Sequence, residues 1–409
     1  MPSFVNECDE RSYIKDLAAQ VMASATEQHN QEVFQRWRDV NALRQPDRAP
    51  VWCRPVGAWD EILPPESLSC SQPELRPYER YFRQILIKKG IGDDSPIKPY
   101  FPVNAVFDCS PPNQWGIEVK KTQPDHVGGA WSYDPALKTD GDFEQLQVPR
   151  FAWNRPETER RLEEAHQLFG DEMPIRLHCG EPIHGTLGTY AAELRGLTEI
   201  MMDTILNPEL LHRLMSYLRD AALQGMADIE ASGLLTTNYD DPMTCSEPFG
   251  PDSGDATVSF KNRWAAVNSQ EFDPVSPEMW NNFCLEYQKP LLEHFGYTAY
   301  GCCENLTQKL DGVLSIPNLR IISCSAWTDL DTVIDKVQER HVIMWRQKAS
   351  DVVFLDDTSA IKEHLEQGAR KLKGCHYQIV LRELQTLAGH PDRLYVWTDL
   401  AKEAAAKFA

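Results

Sequence analysis

No stretch of this sequence approaches the roughly 20 consecutive apolar residues that a bilayer-spanning helix requires. The N-terminus carries Glu7, Asp9 and Glu10 and lacks the basic start and apolar centre of a signal peptide, so a cytoplasmic protein with no membrane partner is expected. Basic clusters are equally scarce. The net charge is −20, and the densest basic run is Arg370-Lys371-Leu372-Lys373, which excludes a nucleic-acid footprint. A disulfide framework is missing as well. The 11 cysteines are odd in number and scattered over 409 residues, so free thiols are expected, most of them packed as small apolar side chains.

What the sequence does contain is apolar material for a large core, 42% of its residues, in alternating strand and helix patterns. Residues 12–41 carry Ile14, Leu17, Val21, Val33 and Trp37 at helical spacing among charges, which predicts an N-terminal helical extension over residues 1–47, packed outside the remainder of the chain. About eight short apolar strands then alternate with helices across residues 48–409, the pattern of a closed parallel (β/α)8 TIM barrel. Residues 234–238 are among the predicted strands. Residues 110–154 are rich in Pro, Gly, Asp and Trp without periodicity and read as a decorated loop of the kind that forms lids.

The chemistry concentrates between residues 295 and 330. Tyr300-Gly301-Cys302-Cys303-Glu304 follows an apolar run that reads as a buried strand, and helical spacing resumes after it, so the polar atoms fall where strand passes to helix. Barrel enzymes keep their sites there. A neighbouring unit ends at Ser323-Cys324-Ser325. Cys302, Cys303, Glu304 and Cys324 are candidate zinc ligands, because thiolates select zinc over harder cations. Packing is the competing reading. Cysteines on barrel strands commonly serve as small apolar residues, and alternation sends Cys302 and Cys303 to opposite sides unless the loop turns.

Other candidates are spread along the chain. Cys53 ends the first predicted strand, and with Arg54 and Trp59 in the glycine-bearing loop after it is a candidate to line a pocket. Glu247 and Glu271 end strand-like segments and are acid-base groups, metal ligands or solvated loop carboxylates. Glu383, near the end of the last strand, is a further acid-base candidate. Asp93 and Asp94 either hold a cation or cap a helix end. His178 and His184 flank Gly180-Glu181-Pro182, as substrate contacts or as hydrogen-bonded structural histidines. Trp115 and Trp131 either close over a methylated substrate or cover core.

Several segments carry a resemblance. Pro50-Val51-Trp52 runs into Arg54 and Gly57; Met173-Pro174-Ile175 precedes Gly180-Glu181-Pro182; Asn207-Pro208-Glu209 and Ser276-Pro277-Glu278 each open a helix. From about Arg48 onward the chain resembles the uroporphyrinogen decarboxylase superfamily, which includes zinc methyltransferases that use corrinoid proteins. The resemblance implies a (β/α)8 barrel. It departs from true uroporphyrinogen decarboxylases at Ala58, where the family has a second arginine, and looks more like the branch associated with corrinoid-dependent demethylation. In the metal-bearing relatives a His-x-Cys ends a strand; here Tyr300 or Gly301 stands at the histidine, and Tyr300 becomes a catalytic candidate. Cys375, in Gly374-Cys375-His376, falls where the family has its distal cysteine and joins the candidate ligands.

The resemblance implies a zinc-dependent methyltransferase that demethylates a small methoxylated or methylamine compound and passes the methyl group to a corrinoid protein, with a homodimer left open. Two alternatives stand beside it. One is a metal-independent decarboxylase of a small carboxylic acid, with Arg54 and Asp93 or Asp94 as its working pair. The other is a catalytically silent barrel acting as a binding subunit.

Overall fold

The computed structural model describes residues 7–122, 132–249, 257–354 and 357–409. Eight short strands supply its parallel pairing: β1 (Val51–Pro55), β2 (Phe101–Asn104), β3 (Ile175–His178), β4 (Trp264–Val267), β5 (Tyr297–Tyr300), β6 (Leu319–Cys324), β7 (Val342–Gln347) and β8 (His376–Leu384). Six of them form one sheet, in the order β1-β8-β7-β6-β5-β4, with every neighbouring pair parallel. This sheet curls into a half barrel. β2 and β3 pair with each other, also in parallel.

The closed (β/α)8 barrel is therefore realised only in part. Among the described residues no ladder joins β1 to β2 or β3 to β4. Residues 234–238, predicted as a strand, bridge part of that gap without regular pairing. Thr236 N–H donates to Cys179 O at 3.1 Å, while the Asn238 side chain exchanges hydrogen bonds of 2.9 and 3.0 Å with the Trp264 backbone. A side chain has taken the place of a ladder rung. Within the predicted lid segment, two short antiparallel pairs form: Phe107–Ser110 with Arg150–Trp153, and Lys120–Thr122 with Ser132–Asp134.

Strand alternation divides the large sheet cleanly into two faces. Val51, Cys53, Tyr300, Ile322, Cys324, Ile343, Trp345, Ile379 and Leu381 point outward into the main core, where the helices that follow the strands bury their apolar faces. Trp52, Trp264, Ala299, Ile321, Val342, Met344 and Val380 point inward and form a separate cluster.

The inner cluster includes Val33, Trp37 and Val40 of α2 (Gln28–Asn41). This helix was expected as an outer layer. Instead it seats against the beginnings of the strands: Gln378 Nε2 donates to Asn41 Oδ1 at 2.9 Å, and Arg320 donates to Asn41 O at 3.1 Å. The preceding helix α1 (Glu7–Ala25) does pack outside, through Ile14, Leu17 and Val21 against Phe82 and Phe169. Among the described residues no helix is long and apolar enough to cross a membrane.

Asp94, one of the substrate-binding candidates of the sequence, locks α2 to β1. Fully buried, it receives Arg36 Nη1 at 2.7 Å, Arg48 Nη1 at 2.6 Å and the Val51 amide at 2.7 Å, so its carboxylate lies at the start of β1, away from the strand ends that carry the thiols. Its backbone carbonyl accepts the Trp37 indole N–H at 2.6 Å. Removing one partner of such a network leaves buried charge uncompensated. Asp94→Ala should therefore destabilise the fold by about 3–5 kcal/mol, read as a lower denaturant midpoint with an unchanged slope. A loss below ~1 kcal/mol would show that the network is relaxed by water.

Candidate functional site

β5 ends at Tyr300, and the next residue makes the turn that the thiols need. Gly301 has φ +105°, and a Cβ there would lie 2.8 Å from Leu306 Cδ1 and 2.9 Å from Ser323 Cβ, so only glycine fits. Past this turn strand alternation no longer applies, and Cys302 and Cys303 come to the same place, their sulfurs 3.5 Å apart. Glu304 holds the turn from beneath. It is 1% exposed, and its carboxylate accepts the Ser269 and Cys302 amides, each at 2.8 Å. Burial pushes its pKa up, against those amide hydrogen bonds.

The third member of the cluster arrives from β8. The pairing of β1 with β8 matches Cys53 to Leu381 but Pro55 to Leu384, so β8 carries one extra residue there, a bulge. Glu383 sits in it with φ +61°, a left-handed conformation that costs a residue with a Cβ roughly 1–2 kcal/mol. Regular alternation would have sent Glu383 outward with Leu381. The bulge turns it toward the thiols, with Oε1 4.0 Å from Cys302 Sγ. One donor atom each from Cys302, Cys303 and Glu383 lies within 4.8 Å of the other two.

Three guanidiniums stand at the same strand ends. Arg54 continues the inner face of β1 after Trp52, Arg346 that of β7 after Val342 and Met344, and Arg382 that of β8 after Gln378 and Val380. Arg346 is buried and ion-paired with Glu383, while Arg382 is half-buried with Nη1 4.0 Å from Met243 Sδ. Cys302 titrates well below the ordinary thiol range, first because Cys303 hydrogen-bonds to its sulfur and then because Arg346 and Arg382 favour the thiolate. Cys303 moves the opposite way, since it supplies that hydrogen bond. The pair releases one proton easily and holds the other. A cavity of about 240 Å³ opens beside them, lined by Cys303, Arg346, Glu383, Trp327 and Lys348.

No protein-family model matches the chain, and no curated protein matches it. Among solved structures it is similar to a methyltransferase from Methanosarcina mazei, with a TM-score of 0.49 and 10% identity over 91% of this chain and 98% of that one. A likeness that distant carries no inference about chemistry, which rests on the residues themselves.

The remaining candidates lie elsewhere. Tyr300 faces outward, fully buried, and its hydroxyl donates to Gln288 Oε1 at 2.8 Å, so it does not reach the thiols. Cys375 precedes β8, at the opposite end from Glu383; at about 3.3 Å per strand residue the two are on the order of 25 Å apart. It cannot share a ligand set with Cys302. Glu304 braces the turn from beneath, and Cys324 points into the outer core. Glu247 is half exposed, 3.9 Å from Arg44 beyond α2.

Glu271 accepts from the Thr189 hydroxyl at 2.7 Å and lines an apolar surface groove with Leu197 and Met201. His178 Nδ1 lies 3.0 Å from Asn104 Oδ1 across the β2–β3 pair, and exposed His184 lies 3.4 Å from Glu181. Trp59 begins the short helix after β1, half-buried. Trp115 packs edge-on against Tyr190 and Tyr217. Trp131 lies outside the described residues.

Arg346 and Arg382 were not singled out from the sequence. Each occupies an inward position at the end of its strand, after Val342 and Met344 in β7 and after Val380 in β8, a parity that acquires meaning only once the sheet has formed. The ionisation of the thiol pair is directly measurable. In chelator-treated protein at about pH 6, well under the free-thiol pKa of about 8.5, iodoacetamide should alkylate Cys302 ahead of every other cysteine in a peptide map. Uniform labelling across the cysteines would contradict the assigned thiolate.

Proposed function

We propose that this chain is a methyltransferase that takes a methyl group from a small methoxylated or methylamine compound and passes it to a corrinoid carried by a partner protein. The observation that supports this reading is the convergence of Cys302, Cys303 and Glu383 beside a small cavity at the strand ends. Two thiols and a carboxylate are a donor set suited to zinc, with a fourth coordination position left for substrate. Zinc, when bound, supplies Lewis acidity toward a poor oxygen or nitrogen leaving group.

The chain's own residues have definable parts in this reading. Glu304 and the Gly301 turn hold both sulfurs on one side of the loop. Arg346 is ion-paired with the Glu383 carboxylate and holds it as an outer charged partner, a role such groups commonly have around metal ligands. Trp327 and Lys348, stacked with the ammonium 5.5 Å from the ring centre, wall the cavity on the side of β6 and β7. A corrinoid protein would approach this same edge, and the completed frame would be of (β/α)8 type.

The decarboxylase reading has less support. Asp93 accepts the Cys53 amide and pairs with Lys88, and Asp94 is committed to Arg36 and Arg48, so neither carboxylate is free to work with Arg54.

Metal content tests the proposal. Protein purified without chelator should carry about one zinc per chain by plasma mass spectrometry, lost in Cys302→Ser and Cys303→Ser, reduced in Glu383→Ala and retained in Cys375→Ser. Protein that holds no zinc and takes up none when it is added would overturn the zinc-dependent reading.

A further inference from the structure

We propose that Arg54, Arg346 and Arg382 form a seat for an anionic oxygen group of the substrate, and that the methyl donor is therefore a carboxylate-bearing compound. This names the substrate class for the methyl-transfer reading and rests on it.

The three side chains belong to β1, β7 and β8, which are hydrogen-bonded neighbours in the order β1-β8-β7. Each takes the inward position nearest the strand's end, above a layer of Trp52, Met344 and Val380. Adjacent strands lie about 4.8 Å apart, so the three forks converge over one small area. The clustering is not explained by internal pairing. The buried arginines elsewhere each have a carboxylate: Arg36 and Arg48 share Asp94, Arg195 has Asp203, and Arg263 has Glu181. At the strand ends only Arg346 has one. Among the described residues Arg54 and Arg382 have no carboxylate partner.

Like charges gathered in this way repel. The mouth stays positive in a chain of net charge −20, which focuses small anions on it. Guanidinium forks match a carboxylate in two parallel hydrogen bonds, a fit a lysine would not give. Of the three, Arg346 also lines the small cavity of about 240 Å³ beside Cys303 and Glu383, so an anion on the seat lies next to the thiols.

The test is calorimetric titration of the full chain, zinc-loaded and chelator-treated, with benzoate, 4-methoxybenzoate, neutral methoxybenzene and inorganic phosphate. The two carboxylates should bind at least about tenfold more tightly than methoxybenzene, with affinity falling as salt rises. Arg54→Met and Arg382→Met should each weaken benzoate about tenfold or more, as loss of a charged hydrogen-bonding partner does. These residues are exposed and half-buried, so the variants should keep the wild-type unfolding transition, checked alongside.

Equal affinity for methoxybenzene and the carboxylates, or benzoate binding unchanged in both folded variants, would overturn the seat. Phosphate bound more tightly than either carboxylate would overturn the carboxylate assignment. Failure here is separable from failure of the methyl-transfer reading. Retained zinc without anion binding removes only the seat, whereas anion binding without zinc supports the seat and removes the metal chemistry.

Discussion

Parallel pairing is the constraint on which this molecule depends. Because β1, β8, β7, β6, β5 and β4 all run the same way, every strand of the large sheet ends at one edge, and residues remote in sequence become neighbours there. The opposite edge is closed by α2, whose Trp37 and Asn41 fasten to Asp94 and Gln378. The other end of the sheet carries the thiols, Glu383 and three arginines. The backbone supplies the few departures from regularity that this needs: a left-handed glycine after β5 and a strained bulge in β8.

The electrostatics of the edge are those of a positive frame around a negative centre. Arg346 neutralises Glu383 and, with Arg382, favours the Cys302 thiolate, after the hydrogen bond from Cys303. Of the frame, Arg346 lines the small cavity beside Cys303 and Glu383. Glu304 belongs to neither frame nor centre. Its place is under the loop, where it satisfies backbone amides that would otherwise be buried without acceptors.

The polar groups that proved to be structural share a physical signature. Asp94, Glu304 and Tyr300 are all nearly inaccessible and all fully engaged: Asp94 by two guanidiniums, Glu304 by backbone amides, and Tyr300 by Gln288. Arg54 and Arg382 are the reverse, more open to solvent and, among the described residues, without a carboxylate partner. In this chain, charge that lacks an internal partner distinguishes the candidate site better than the identity of the residue.

The sequence by itself determined the alternation of strands and helices and the placing of Cys302 and Cys303 just after a strand, because both depend on local periodicity. It could not decide whether both sulfurs face one way, since that depends on the Gly301 turn against Leu306 and Ser323. Nor could it bring Glu383 inward, which required a bulge visible only in the register of β8 against β1, or exclude Cys375, whose distance from the thiols is set by the direction of β8. Arg346 and Arg382 were unreadable for the same reason. Their inward parity has no meaning until the sheet that gives them a shared interior has formed.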